Sequence, residues 1–262
     1  MKRHLTKFVT LIGLTLMLIL PACNLNASET ETPTPIPAAT PTQAQEPGGL
    51  CANPLFPVKL GATWTYTGTG SVAGDYGFTD TITDVREDGF SLTSQFDDLT
   101  RTQEWNCKPE GLAALTFGGG AAGGIFANGI QMDLNTSNVQ GVNLPKTVNA
   151  GDQWPYSLDF EGDMEFSGTT AHAQGTATFA FSAIGQESVT VPAGMFDAMK
   201  IHADMVLDMQ ISVSGISTPI TFTSPTDLWF APGIGWVKAT SAGELMGTSF
   251  NETIELQSYN IP

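Results

Sequence analysis

The chain has 262 residues, with 26 Asp and Glu against 10 Lys and Arg, a formal charge of −16, and only three Cys and three His. So acidic a balance excludes nucleic acid as a partner, because phosphate recognition needs clustered cations, and it disfavours anionic headgroups wherever no other anchor acts. The length suffices for one good core or two small ones, and no second linker interrupts the C-terminal two hundred residues.

At the N-terminus, Lys2, Arg3 and Lys7 precede an apolar run from Phe8 to Leu20 that only threonines and one glycine interrupt. That run falls short of the roughly 20 residues a spanning helix needs, and it ends in small residues, which predicts a signal peptide over residues 1–22. Leu20-Pro21-Ala22-Cys23 follows. This tetrad resembles the bacterial lipoprotein signal, with Pro21 the less usual member. The resemblance implies cleavage before Cys23, acylation of its thiol by palmitate-like chains, and an extracytoplasmic address on a cell membrane. Each buried methylene contributes about 0.8 kcal/mol, so two or three acyl chains anchor permanently where one is marginal.

Residues 23–49 then change character. Thr32-Pro33-Thr34-Pro35, Thr40-Pro41-Thr42 and Glu46-Pro47 offer nothing to bury and predict a solvated tether. The mature chain from Cys23 keeps seven of the Lys and Arg and all 26 Asp and Glu, for a formal −19 once the three N-terminal cations are removed. With Cys23 lipidated, Cys51 and Cys107 remain as an even pair in an oxidising compartment and are expected to form a disulfide. No CxxC or nearby third ligand accompanies them, so a metal reading fails.

The domain alternates with period two. Leu158 to Phe166, Ala171 to Ala183 and Met199 to Val213 each separate an apolar from a polar phase, as half-buried strands do. No window supports an amphipathic helix. A strand of fifteen residues is about 50 Å long, and antiparallel strands of that length coil. The expected fold is therefore all-β: one long antiparallel curled sheet, half-barrel or barrel-like, with a β-sandwich as the alternative. Gly185, Gly194 and Gly233 mark candidate turns, the last in a Pro232-Gly233 pair suited to a type II turn. Gly118 to Gly124 reads as a flexible connection, since it lacks the Lys-Ser/Thr ending of a phosphate loop. Gly61-Ala62-Thr63-Trp64-Thr65-Tyr66 and Gly151-Asp152-Gln153-Trp154-Pro155-Tyr156 share G-x-x-W-x-Y, which leaves both coincidence and a repeat open.

Three segments occur in a telling order: Leu60 to Tyr66, Val191-Pro192-Ala193-Gly194-Met195-Phe196-Asp197-Ala198, and Pro232-Gly233-Ile234-Gly235-Trp236-Val237-Lys238. They resemble uncharacterised secreted bacterial β-domain lipoproteins, domains of unknown function with LGxxWxY, VPAGxFxA and PGxGxVK motifs. The resemblance implies a structural scaffold and assigns no activity. A more distant likeness, in architecture alone, is to the LolA-type lipoprotein carriers, whose half-barrel holds acyl chains.

No enzyme motif stands out. After signal cleavage only His172 and His202 remain, and G-x-S-x-G and H-E-x-x-H are absent. His202 and Asp204 share a strand face, and Asp159, Glu161, Asp163 and Glu165 share another. Solvated polar faces account for both sets better than metal, calcium or acid-base chemistry. A hydrolase built on sheet carboxylates has no specific residues to support it. No cofactor motif is present. Three readings remain: a structural or interaction module of the envelope with a filled core, a binding or carrier protein for an apolar, lipid-like ligand, and, least supported, the hydrolase using sheet carboxylates. For the second, the candidate ligand face is Met199, Ile201, Met205, Leu207 and Met209, set against the small residues Ala171, Ala173, Gly175 and Ala177. Trp64, Trp154, Phe179 and Phe181 are the side chains available to fill that space.

Overall fold

Where apolar and polar residues alternate, the backbone extends into thirteen antiparallel strands. The computed structural model describes residues 49–71, 74–97, 99–117, 130–166, 168–245 and 248–262, all in the unit Thr42–Pro262. The signal peptide, Cys23, the tether and the 118–124 glycine run lie outside these residues. A first meander comprises β1 (Thr63–Ser71), β2 (Gly74–Val85), β3 (Gly89–Gln95), β4 (Thr100–Lys108) and β5 (Gly111–Ala114). Next come β6 (Ile130–Gly141) and the short β7 (Leu144–Pro145). The second meander is β8 (Gln153–Phe166), β9 (Thr169–Val191), β10 (Gly194–Val213), β11 (Ile216–Ala231), β12 (Gly235–Leu245) and β13 (Thr248–Asn260). All thirteen belong to one sheet, in the order β6-β8-β9-β10-β11-β12-β13-β1-β2-β3-β4-β5-β7. The fold is thus the curled single sheet and not the sandwich.

Each long strand keeps the dry and wet phases its sequence shows. On β10, Met199, Ile201, Ala203, Met205 and Leu207 are buried, while Asp204 and Asp208 are exposed. Ala173 and Ala177 of β9 are fully buried opposite Ile211 and Leu207. Between them Gly175 faces Met209, and a Cβ there would strike the carbonyl oxygen of Asp208. Absence of a side chain lets β9 and β10 approach closely where the sheet coils.

Two of the expected turns form and one does not. Pro192 and Ala193 link β9 to β10 just before Gly194. Ala231 to Ile234 closes a turn in which the Ile234 amide donates to the Ala231 carbonyl at 3.0 Å and Gly233 has φ 71°, as the third residue of a type II turn requires. Gly185 instead lies inside β9. The pairing slips there, with Lys200 opposite Gly185 and Ile201 opposite Ala183, so Ile184 bulges. The positive φ that suits a turn serves a bulge equally well.

The sheet nearly closes. β6 and β7 are one run of chain broken only at Val142 and Asn143; the first part pairs with β8 and the second with β5, the opposite edge. Around that break the Asn143 amide donates to the Leu112 carbonyl at 2.8 Å, Asn143 Oδ1 accepts from the Ala114 amide at 2.7 Å, and Tyr156 Oη donates to the Ala114 carbonyl at 2.6 Å. We call this end the base, where β1, β5, β8 and β10 begin, and the opposite end the rim.

The shared G-x-x-W-x-Y segments adopt one local structure twice. Gly61 and Gly151 both take positive φ in a turn closed by an amide-to-carbonyl bond, Ala62 to Lys59 at 3.0 Å and Asp152 to Asn149 at 3.1 Å. Each glycine amide then bonds the neighbouring strand, at Ile82 and at Ala183. Both tryptophans and both tyrosines turn inward and donate to main-chain carbonyls: Trp64 to Ile234, Trp154 to Asn143, Tyr66 to Trp236 and Tyr156 to Ala114. The echo is therefore structural.

At the base, Cys51 is bonded to Cys107, which fastens the segment entering the domain to the end of β4. The bond closes a 56-residue separation, for which loop entropy gives a stabilisation of about 2–4 kcal/mol. Cys51→Ala with Cys107→Ala is expected to lower the unfolding free energy by about that amount in a urea titration. An unchanged midpoint would show that the base holds without its bond.

Candidate functional site

Inward side chains from both meanders meet around an apolar cavity of ≈ 150 Å³. From the entry segment and β12 come Phe56 and Trp236; from β4 and β5, Trp105, Leu112 and Ala114. Strands β8 and β9 supply Tyr156, Leu158, Phe179 and Phe181, and β10 and β11 supply Ile201, Ala203, Met205, Leu228 and Phe230. Polar groups are few: Gln103, Thr116, Asn143 and Thr226. Three of these have partners, since Gln103 donates to the Thr116 carbonyl and accepts from Trp105 Nε1, Thr116 Oγ1 accepts from the Glu104 amide, and Asn143 accepts from the Ala114 amide. Such a wall offers dispersion and aromatic contact and leaves little unmet hydrogen-bonding capacity.

Aromatic packing determines what space is left. Tyr66 stacks on Trp236 with centroids 3.9 Å apart and planes 5° from parallel, while Phe56 packs between Trp64 and Phe90 at 5.4 and 5.9 Å. Trp154 stacks on Phe181 at 5.4 Å, and Phe179 lies 5.9 Å from Phe181. Of the four side chains expected as fillers, Phe179 and Phe181 line the cavity while Trp64 and Trp154 close neighbouring layers.

The candidate ligand face divides. Ile201 and Met205 line the cavity; Met199 and Leu207 are buried but do not reach it. Met209 is half-buried beside a shallow polar groove formed with Asp159, Glu161, Gln174, Thr176 and Asp208. Most of the lining comes from residues that strand periodicity did not single out, Phe56, Trp105, Leu112 and Phe230 among them. Phe56 lies in the entry segment and the others on three different strands, and no single strand shows that they converge.

Two inward carboxylates also went unread. Asp80 on β2 sits between Phe78 and Ile82 in the apolar phase, buried, and accepts from Ser94 Oγ at 2.5 Å. Glu252 on β13 is likewise buried, accepting from Tyr76 Oη at 2.9 Å and Ser241 Oγ at 3.4 Å. Burial pushes the Asp80 carboxyl up to about 7 against the pull of Ser94. Burial likewise raises Glu252, with Tyr76 and Ser241 pulling down. The Tyr66 phenol is raised by burial first and by the nearby Asp80 charge second.

On the wet face, His202 Nδ1 lies 2.7 Å from Asp227 Oδ1 and Nε2 3.4 Å from Asp204, while Lys200 Nζ contacts Asp227 at 2.9 Å. Its hydrogen bond to Asp227 raises the His202 pKa. Asp159 accepts from Asn138 and Thr176, and Asp163 faces His172 at 3.0 Å. These groups pair across adjoining strands, except that Asp204 faces His202 along β10 itself. Among the described residues no three His, Cys, Asp or Glu side chains are grouped for a metal ion.

The Asp80 shift carries a sign that can be measured. Its folded value exceeds the unfolded value near 3.9, so the native state keeps a proton that the unfolded chain releases. The corresponding stability is fully present below about pH 4 and is lost as pH rises through about 7. Asp80→Asn, which keeps an oxygen for Ser94, is expected to flatten the decline in unfolding free energy across that window. An identical slope in the variant would contradict the assignment.

The architecture has counterparts. An exported protein of YmcC-like fold from Bacteroides fragilis is similar over 79% of this chain and 98% of its own, with 14% sequence identity and a TM-score of 0.50, a likeness that concerns the fold alone. A protein described as a lipoprotein from Parabacteroides distasonis, at 15% identity over 80% of this chain and 99% of its own, has a TM-score of 0.47. The hypothetical lipoprotein YmcC from Escherichia coli, at 9% identity over 77% and 85%, has one of 0.36. Neither of these two carries weight for the fold. No curated protein matches the chain. Residues 126–251, from the end of the glycine-rich connection into β13, are similar to the DUF3108-like family.

Proposed function

We propose that the chain is an exported, acyl-anchored envelope protein whose curled sheet takes a small apolar group into its interior. The cavity of ≈ 150 Å³, walled mostly by aromatic and aliphatic side chains, carries this reading. A dry cavity of about 150 Å³ in other proteins accepts benzene, whereas drug-sized ligand sites start near 300 Å³. The volume suits a ring or a short alkyl segment rather than a whole acyl chain. Lipidation at Cys23 rests on Leu20-Pro21-Ala22-Cys23, and the exported description of the Bacteroides fragilis neighbour agrees with the address.

A second reading, an envelope module with a filled interior, draws on the density of aromatic stacking around the same space. Titration separates the two. Benzene or hexanoate at millimolar concentration is expected to raise the melting temperature saturably, and Ala203→Leu, which places atoms in the cavity, is expected to abolish the shift while the domain stays folded. No saturable shift in the unaltered protein would leave the filled module as the function.

The anchor has its own assay. Cells given radiolabelled palmitate are expected to label the protein, and Cys23→Ser to remove the label. Label on the Ser variant would place acylation elsewhere.

A further inference from the structure

The two ends of the sheet differ in what they show to solvent. Leu60 is 63% exposed, Ile184 58%, Met195 71% and Tyr259 40%, and Leu50 and Val85 join them; all six lie at the base. At the rim, two comparably exposed apolar side chains, Val213 and Ile216, flank the β10–β11 hairpin. Three of the base residues belong to one corner. The Ala193 amide donates to the Leu256 carbonyl at 3.0 Å, which folds the β9–β10 hairpin onto β13 and brings Phe196 within 6.2 Å of Tyr259. Lys59 Nζ, next to Leu60, donates to the Pro262 carbonyl at 2.8 Å.

Charge is divided along the same axis. Lys59, Arg86, Lys108 and Lys146 lie in or beside turns at the base, and Lys200 and Lys238 in the base half of their strands. Toward the rim, Asp75, Asp97, Asp133, Asp163, Glu165 and Asp208 have no Lys or Arg among them except the half-buried Arg101. Asp84, Glu87, Asp88, Glu110, Asp152, Glu187 and Asp197 lie at the base with them, and Asp227 and Glu255 pair with Lys200 and Lys238, so the base carries both signs, where among the described residues the rim sets only Arg101 against its carboxylates. The segment arriving from Cys23 also enters here, through Gly49 to Cys51, which the disulfide fixes to the end of β4.

We propose that the base docks on the lipid surface, with Leu60, Met195 and Tyr259 entering the headgroup region and the acidic rim directed away. Apolar side chains of this size gain by leaving water, tyrosine suits the boundary, and a base holding six of the domain's seven Lys and Arg meets less repulsion than the rim would. The orientation rests on the anchored reading above to the extent that Cys23 supplies the proximity.

The test removes that dependence. The exported chain from residue 23, carrying Cys23→Ser and therefore unacylated, is floated with vesicles of phosphatidylethanolamine and phosphatidylglycerol. A measurable bound fraction is expected. Leu60→Glu combined with Met195→Glu is expected to reduce partitioning at least about fivefold, with Ile216→Glu leaving it unchanged. No partitioning, an undiminished double variant or an equal loss with Ile216→Glu would overturn the docking. Palmitate labelling of Cys23 reports on the anchor separately, so either statement can fail without the other.

Discussion

A single sheet has one dry face and no second layer to cover it, so the face must be buried by curling the sheet on itself. Everything specific to this protein follows from the side chains that make the curl close. Rings from the first meander meet rings from the second: Tyr66 lies flat on Trp236, and Tyr156 at the start of β8 donates across the gap to the Ala114 carbonyl of β5. Where small residues such as Ala173, Gly175 and Ala177 face inward, the strands come close enough to coil. Where large rings face inward they hold the walls apart, and the cavity is the space they leave.

The same constraint explains the buried carboxylates. A sheet that closes on itself turns every in-phase position inward, whatever residue the sequence places there. Asp80 and Glu252 occupy such positions, and each is tolerated because hydroxyls on neighbouring strands supply its hydrogen bonds. Both belong to the core and make its stability depend on pH.

Much of this was legible from residue order. The long strands followed from strict alternation, their coiling from length, and the Cys51–Cys107 bond from counting thiols once Cys23 was set aside. Gly185 was misread because a positive φ serves a bulge as readily as a turn, and only the slip in pairing with β10 distinguishes them. The cavity was legible in part. Met205 and Ile201 stood out on a strand with clear phases, whereas Phe56, Trp105 and Leu112 lie on short segments whose convergence depends on how far the sheet turns. That angle belongs to the whole sheet and is written in no single strand.

Xenon under pressure in a crystal of the domain probes the apolar cavity most directly, because the atom enters dry apolar cavities and needs no hydrogen bond. The account predicts one ordered xenon within contact of Met205, Phe181, Phe230 and Trp236. An interior that admits no xenon at pressures that fill comparable cavities would contradict it.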